Sequence, residues 1–293
     1  MSVPRFTKTI RRITYDAINP KRPELSAEGK TVVVAGAGWG GIGSGIALSF
    51  AKAGAKKIAL IGRTQQRLQE TKDRIKAENY AVEVYISVTD LSKAEAVGVA
   101  AHWIRVELGA WDVFINAAMR TGQLATVAGC DEDDWWQTFE IGVRFYQHFS
   151  RHFLPKCRPN ATFISINSRQ THMNGSFFPK LGACTAAHAA QAKLDEYIAL
   201  EKPGLRVFSV HPGRIDTRLL KAIVDASQHS KAISDVDDIS LPSDTCVWLA
   251  SPEADFLKGR FIHANFDVEE LIERKAEFEN NPELLTLVLS GTV

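Results

Sequence analysis

Val34-Ala35-Gly36-Ala37-Gly38-Trp39-Gly40-Gly41-Ile42-Gly43 is the stretch on which the fold reading turns. It begins at the end of a short apolar run, Thr31 to Gly36 (TVVVAG). Such a run suits a strand covered on both faces. It opens a small-residue segment, Ile42 to Ala53, that reads as a helix stopped by Gly54. Gly36, Gly38 and Gly41 fit the spacing G-x-G-x-x-G. Glycines there permit a tight turn, let the backbone approach a pyrophosphate, and bring strand and helix together. The helix start at Ile42 and Gly43 then offers unpaired N–H groups and a positive dipole end to an anion.

Working outward, strands and helices alternate. Lys57 to Gly62, Val82 to Val88, Trp111 to Asn116, Ala161 to Asn167, Leu205 to Val210 and Arg260 to Ala264 read as further strands. Thr64 to Glu78, Ser92 to Leu108, Glu132 to Phe153 and Gly182 to Glu201 read as helices. Right-handed βαβ crossovers follow, and with them a single doubly wound parallel sheet of about seven strands, with helices on both faces, of the Rossmann type. Residues 1–29, with Pro4, Pro20 and Pro23, read as an arm packed on the domain or a neighbouring subunit, or as a loose tail. Residues 30–293 then form one dinucleotide-binding and catalytic domain. The least regular stretch of its second half, 218–240, is expected to be a substrate lid at the carboxyl edge of the sheet, with a plain surface excursion as the alternative.

The second apolar run ends Ile61-Gly62-Arg63-Thr64. An acid at this point accepts hydrogen bonds from a ribose 2′-OH, and none lies between Lys56 and Arg67. Arg63, assisted by Thr64, suits a 2′-phosphate instead, so NADP(H) is expected over NAD(H); a solvated arginine is the alternative.

Composition excludes several other classes. The chain has 293 residues, 45% hydrophobic and 24% charged, enough to bury a core without disulfides or metals. A net charge of +1 supplies no field for nucleic acid or an anionic membrane. Cys130, Cys157, Cys184 and Cys246 form no C-x-x-C pair and no zinc-spaced cluster, so free thiols and no metal are expected. With no apolar leader and no apolar span, a cytoplasmic protein is the expectation.

From Lys30 onward the pattern resembles the short-chain dehydrogenase/reductase family. The glycine stretch is similar to that family's T-G-x-x-x-G-x-G, with one extra residue. Thr89-Asp90-Leu91 resembles its third-strand segment beside adenine, and Asn116-Ala117-Ala118 its N-A-G motif. His211-Pro212-Gly213-Arg214-Ile215-Asp216-Thr217 resembles its P-G…D-T segment beside the nicotinamide. Trp248 to Pro252 followed by Gly259-Arg260-Phe261 is similar to its closing helix and strand. Arg22 to Ser26 and Phe266 to Leu271 resemble the branch common in fungal biosynthetic pathways. The resemblance implies that Gly36, Gly38, Gly41, Ile42, Gly43, Arg63, Thr64, Asp90, Leu91, Asn116, Ala117, His188, Pro212, Gly213, Ile215 and Thr217 hold the dinucleotide. It also implies a homodimer or homotetramer built through the two long helices.

The family's reaction rests on Asn, Ser, Tyr and Lys, with Tyr and Lys four residues apart on one helix face. Tyr15, Tyr80, Tyr85, Tyr146 and Tyr197 are the only tyrosines, and none has Lys four residues on. Ala199-Leu200-Glu201 resembles the ending of the catalytic helix, and this register puts Cys184 at the Tyr position and His188 at the Lys position. Phe139 to Val143 puts Gly142 at the Asn position; only Ser168 matches. Cys184 and His188 form either a thiolate–imidazole pair or a space-filling cysteine with a ribose-binding histidine. Arg120 and Arg169 either present charge to the pocket or make salt bridges, and Trp135, Trp136, Phe145 and Tyr146 read as packing residues.

Positioned acid catalysis is worth roughly 10²–10⁴-fold, and its usual donor is absent from the motif. The expectation is an NADP(H)-dependent enzyme of specialised metabolism with a small, largely apolar substrate. It acts as an atypical reductase of an iminium or other activated acceptor, or as a cofactor-assisted cyclase/isomerase. Reductase-like proteins of fungal alkaloid pathways, similar at family level, combine iminium reduction with Diels–Alder cyclisation. The alternatives are a carbonyl reductase with a non-standard proton donor and a non-catalytic nucleotide-binding protein.

Arg63→Ala is expected to weaken NADPH by roughly 10- to 100-fold, since charged hydrogen bonds are worth about 1.5–3 kcal/mol, and to leave NADH nearly unchanged. Fluorescence titration of both nucleotides reads this; equal loss of the two rules out a 2′-phosphate contact.

Overall fold

β1 (Thr31–Ala35) is buried along its whole length, and its side chains alternate between two cores. Val32 and Val34 enter one, Val33 and Ala35 the other. A strand sandwiched in this way must be central, because a period of two delivers apolar residues to both faces. The structure, a computed structural model, describes residues 6–217, 220–221 and 236–288. Its seven parallel strands run β3-β2-β1-β4-β5-β6-β7. β2 is Lys57–Gly62, β3 Glu83–Val88, β4 Trp111–Asn116, β5 Cys157–Ile166, β6 Arg206–His211 and β7 Phe261–His263. Strand order reverses between β1 and β4, which opens a crevice at their carboxyl ends.

α1 (Ile42–Lys52), α2 (Gln65–Glu78) and, near the end of the chain, a helix at Ser240–Leu249 cover one face of the sheet. On the other face lie α3 (Ala94–Leu108), α4 (Glu132–Phe139), α5 (Phe145–His152) and α6 (Gly182–Glu201). The helix at Ser240–Leu249 is α7; two short ones, α8 (Val268–Glu273) and α9 (Lys275–Asn280), follow β7. The second core is unusually aromatic. Phe114 of β4 packs on Trp111, Phe145, Phe149, Phe153 and Phe163 at centroid distances of 4.8–6.5 Å. The Trp111 indole donates to the Phe153 carbonyl at 2.9 Å, which ties β4 to the end of α5.

Two elements differ from the sequence expectation. The helix expected over Glu132 to Phe153 is interrupted by a π turn at Glu140–Arg144, with Gly142 inside it. β5 starts at Cys157, not Ala161, because an exposed polar lead-in joins it through a register shift opposite Trp111 and Val113. Apolar runs mark only the buried half of such a strand.

Residues 6–29 pack on the domain. Ile18 and Leu25 lie in the first core, Ile10 bridges Phe266, and Arg11 pairs with Asp267 at 2.6 Å. The Tyr15 hydroxyl accepts from the Val268 N–H at 2.8 Å. Of the lid expected over 218–240, residues 218–219 and 222–235 lie outside the described residues; Asp237 bridges Ile215, and Ser240 already belongs to α7. Among the described residues no helix is long and apolar enough to cross a membrane, and no His, Cys, Asp or Glu group is arranged to hold a metal. All four cysteines are free thiols.

Phe114→Ala is expected to destabilise the fold by about 3–5 kcal/mol, the range for emptying a buried aromatic site. Urea unfolding followed by far-UV circular dichroism measures it; a loss under about 1 kcal/mol would mean that the aromatic cluster collapses into the gap.

Candidate active site

The cradle at the switch point is built from missing side chains. Gly36 has φ +83°, and a Cβ on it would stand 2.6 Å from the Ala117 carbonyl oxygen. A Cβ on Gly43 would stand 2.5 Å from the Gly36 carbonyl oxygen. The β1 turn, the start of α1 and the end of β4 therefore meet backbone to backbone. Gly41 is the N-cap residue of α1 and brings no side-chain cap, so Ile42 and Gly43 start the helix with N–H groups open to an anion.

Beside this cradle lies a cleft of about 240 Å³ lined by Gly36, Gly38, Gly41, Arg63, Thr64, Leu91 and Ala117, and also by Arg67, Met119, Arg120 and Ile141. Arg67 was not legible as a site residue. Its Nε donates to the Trp39 carbonyl at 3.0 Å, its Nη2 to the same oxygen, and its own carbonyl accepts from the Trp39 N–H at 2.9 Å. The Arg74 guanidinium lies 3.8 Å above the Trp39 ring. Trp39 of the glycine loop is thus latched to α2. The available signal was spacing: Arg67 stands one helical turn after Arg63. Burial works against the Asp90 carboxylate, but bonds from the Ser92 N–H and hydroxyl, with the Arg63 charge nearby, hold it below its usual range.

Ser168 follows β5, and its Oγ accepts from the Gln170 N–H at 3.3 Å. Buried Asn167 holds this turn to α6. Its Oδ1 accepts from the Ser168 N–H at 2.7 Å, and its Nδ2 donates to the His188 carbonyl at 3.1 Å. Burial pushes the Cys184 thiol up to about 12 and the His188 imidazole down to about 4. No hydrogen bond joins them. His188 Nδ1 instead donates to Gln191 Oε1 at 2.9 Å, and Gln191 Nε2 reaches the Met119 sulfur at 3.9 Å. A Cβ on Gly142 would meet Ala187 Cβ at 3.1 Å and Met119 Sδ at 3.2 Å. Met119, Ala187, Gln191 and His188 fill this corner together. None of the five tyrosines lines the cleft.

Seven residues beyond His188, Asp195 is buried, accepts from Ser165 and Ser209, and has the Tyr146 phenol against it. Burial pushes this carboxyl up to about 7. Nothing in the residue pattern marked it.

Ile42, Gly43, Asp90, Asn116, Ser168, Cys184 and His188 do not line the cleft. Nor do Pro212, Gly213, Ile215 and Thr217, which follow β6 farther along the carboxyl edge. Gly213, at φ +88°, leaves room for Asp237, whose Oδ2 accepts from the Arg214 N–H at 2.8 Å. His211 and His263 are paired across β6 and β7, and His172 Nε2 lies 2.9 Å from His263 Nε2. Arg120 pairs with Asp134, so it is a salt-bridged residue at the cleft wall. Trp135 stacks on Phe139 at 4.4 Å, Trp136 is 57% exposed, and Phe145 and Tyr146 are core residues.

A parallel sheet with a glycine-framed cleft at its switch point defines a Rossmann-type protein. The chain belongs to the short chain dehydrogenase family, whose model matches residues 30–228. The short chain dehydrogenase pigC of Monascus ruber is 32% identical over 289 residues, covering 95% of this chain and 92% of that one. The short chain dehydrogenase citE of Monascus ruber is 30% identical over 271 residues, covering 90% and 89%. L-Sorbose reductase from Gluconobacter frateurii, solved with NADPH and L-sorbose, aligns with TM-score 0.73 at 23% identity over 82% of this chain and 96% of that one. An NADPH-bound short chain oxidoreductase from Pseudomonas aeruginosa, described as having an atypical catalytic center, aligns with TM-score 0.72 at 23% identity over 81% and 96%.

These buried groups fix a pH response. Burial lowers His188 to about 4 and His263 to about 3, so the unfolded chain binds more protons between those values and about 6.5; stability falls as pH drops through that window. Asp195 works oppositely: raised to about 7, it costs stability as pH rises from about 3.8 to 7. The melting temperature of Asp195→Asn relative to wild type is therefore expected to rise by several degrees from pH 5 to pH 8. Differential scanning fluorimetry reads it, and a pH-independent difference contradicts a carboxyl held above its ordinary range in the folded chain.

Proposed function

We propose that this protein is an NADP(H)-binding enzyme of specialised metabolism that works on a small, largely apolar substrate without a tyrosine–lysine proton pair. The observation that carries this reading is the filled corner around Gly142. Met119 and Ala187 occupy the space an asparagine would need, His188 is turned into Gln191, and Cys184 is a buried thiol. Kinship with fungal short chain dehydrogenases such as pigC and citE supports a biosynthetic setting.

The residues fit the dinucleotide. Gly36 and Gly43 leave cradles that a Cβ would fill, and the uncapped α1 N-terminus suits the pyrophosphate. Arg63, with Thr64 and Arg67, would take the 2′-phosphate, and Asp90 and Leu91 would border the adenine. Asn116, Ala117, His188, Pro212, Gly213, Ile215 and Thr217 would border the nicotinamide half. When bound, the cofactor supplies a hydride. The chain's part is to hold and orient the substrate and to exclude water. At neutral pH a thiol near 12 is a weak acid and an imidazole near 4 is uncharged, so neither replaces a cation-assisted phenol. The chemistry that suits this site is reduction of an iminium or another activated acceptor, which needs no proton at the acceptor atom. The other suitable chemistry is a cyclisation or isomerisation, such as a Diels–Alder reaction, guided by a held conformer. Exposed Trp136 on α4 and Tyr197 and Leu200 on α6 support assembly as a homodimer or homotetramer through those helices.

The test is NADPH titration followed by absorbance assays with carbonyl and iminium panels. NADPH binding without carbonyl turnover is expected. Brisk carbonyl reduction, or no NADPH binding, overturns the proposal. Cys184→Ala is expected to cost less than about 10-fold in the native reaction, against roughly 10²–10⁴-fold for removal of a positioned acid. A collapse of turnover with melting behaviour intact would make the thiol a catalytic group.

A further inference from the structure

Arg169 lies half-buried at the carboxyl edge, and no carboxylate among the described residues stands within ion-pair distance of its guanidinium. Its backbone is fixed: the N–H donates to His211 Nδ1 at 3.3 Å, and the carbonyl accepts from the Met173 N–H at 3.2 Å. Its guanidinium makes no hydrogen bond or ion pair with a described residue. The Phe178 ring, 6.0 Å away, stands at the outer limit of a cation–π contact. Other arginines shielded from water have acceptors: Arg22 has Glu253, Arg120 has Asp134 and Arg206 has Asp255, while Arg67 and Arg260 donate to backbone carbonyls.

The surroundings do not neutralise the charge. Burial and the neighbouring Arg214 charge both disfavour the charged form of Arg169. Asp237, the nearby carboxylate, offsets this in part but already binds the Arg214 N–H at 2.8 Å and Arg12 at 3.4 Å. His211 and His263 are held uncharged by burial. Keeping a guanidinium half out of water with only the shared Asp237 carboxylate nearby is unfavourable, and the imbalance is relieved when an anion arrives. A planar fork selects a planar two-oxygen group. Ser168 is the preceding residue, and Phe178 offers apolar surface at the same rim.

We propose that Arg169 anchors a substrate subsite for a carboxylate carried on an apolar body, beside Ser168 and Phe178. The assignment rests on the enzymatic reading above, and it names the polar handle of the substrate. The fork holds one end of the molecule and leaves the apolar remainder over the crevice; in this role Arg169 binds and orients, and takes no proton.

The experiment uses 4-phenylbutyrate and its neutral amide, 4-phenylbutanamide, titrated by calorimetry into the protein with and without NADPH. Wild type is expected to bind the carboxylate at least about tenfold more tightly than the amide, in the range for a hydrogen bond to a charged group. Arg169→Gln should reduce the preference to within about twofold, Arg169→Lys should keep part of it, and NADPH affinity should be unchanged in both. Equal binding of the two probes, binding of neither, or a preference that survives Arg169→Gln overturns the proposal. Failure of NADPH to bind falls on the enzymatic reading alone, because the probe preference is also measured without nucleotide.

Discussion

Close backbone contact between three segments is the constraint on which the site depends. Gly36, Gly43 and Ala117 meet at distances that admit no Cβ on either glycine, so the β1 turn, α1 and the end of β4 form one rigid unit. Ala117 reaches this meeting point because β4 lies beside β1 in register, Asn116 against Ala35. Sheet order, helix approach and cleft shape are thus consequences of the same atoms. The latch of Arg67 on Trp39 adds a second tie, from α2, within the glycine loop.

The corner around Gly142 is closely packed. The π turn, Gly142, Met119, Ala187, Gln191 and His188 meet there and leave no open space beside Gly142. Farther along α6, Asp195 joins Ser165 and Ser209 in a buried cluster that anchors the helix to β5 and β6. Polar interior groups of this kind are tolerable only when bonded, and they rigidify the core that holds the pocket.

Much of the fold was legible because its strands are covered on both faces. Thr31 to Ala35 and Trp111 to Asn116 are apolar runs bounded by turns, and such runs announce themselves. The start of β5 did not, since Cys157 pairs with Trp111 while Arg158 to Asn160 after it are exposed. The glycine cradle was readable from spacing, because only glycine satisfies its geometry. Arg67, Asn167 and Asp195 were hidden for the opposite reason: each gains its role from partners distant in sequence, at 28, 21 and 30 residues respectively. The contrast between Arg120 and Arg169 likewise needed coordinates, since only three-dimensional placement shows that Asp134, fourteen residues on, turns back to Arg120.

The strap formed by residues 6–29 has a consequence for biosynthesis. Arg11 bonds Asp267 across 256 positions, and Tyr15 receives the Val268 amide across 253. The segment around Arg11 and Tyr15 therefore finds its seat only after Asp267 and Val268 have been made. Until then Ile18 and Leu25 have no complete core to enter, and the emerging chain carries them as exposed apolar surface. Contacts between residues so far apart in sequence carry a high loop-closure cost, so the seating of this strap is expected to come late in folding.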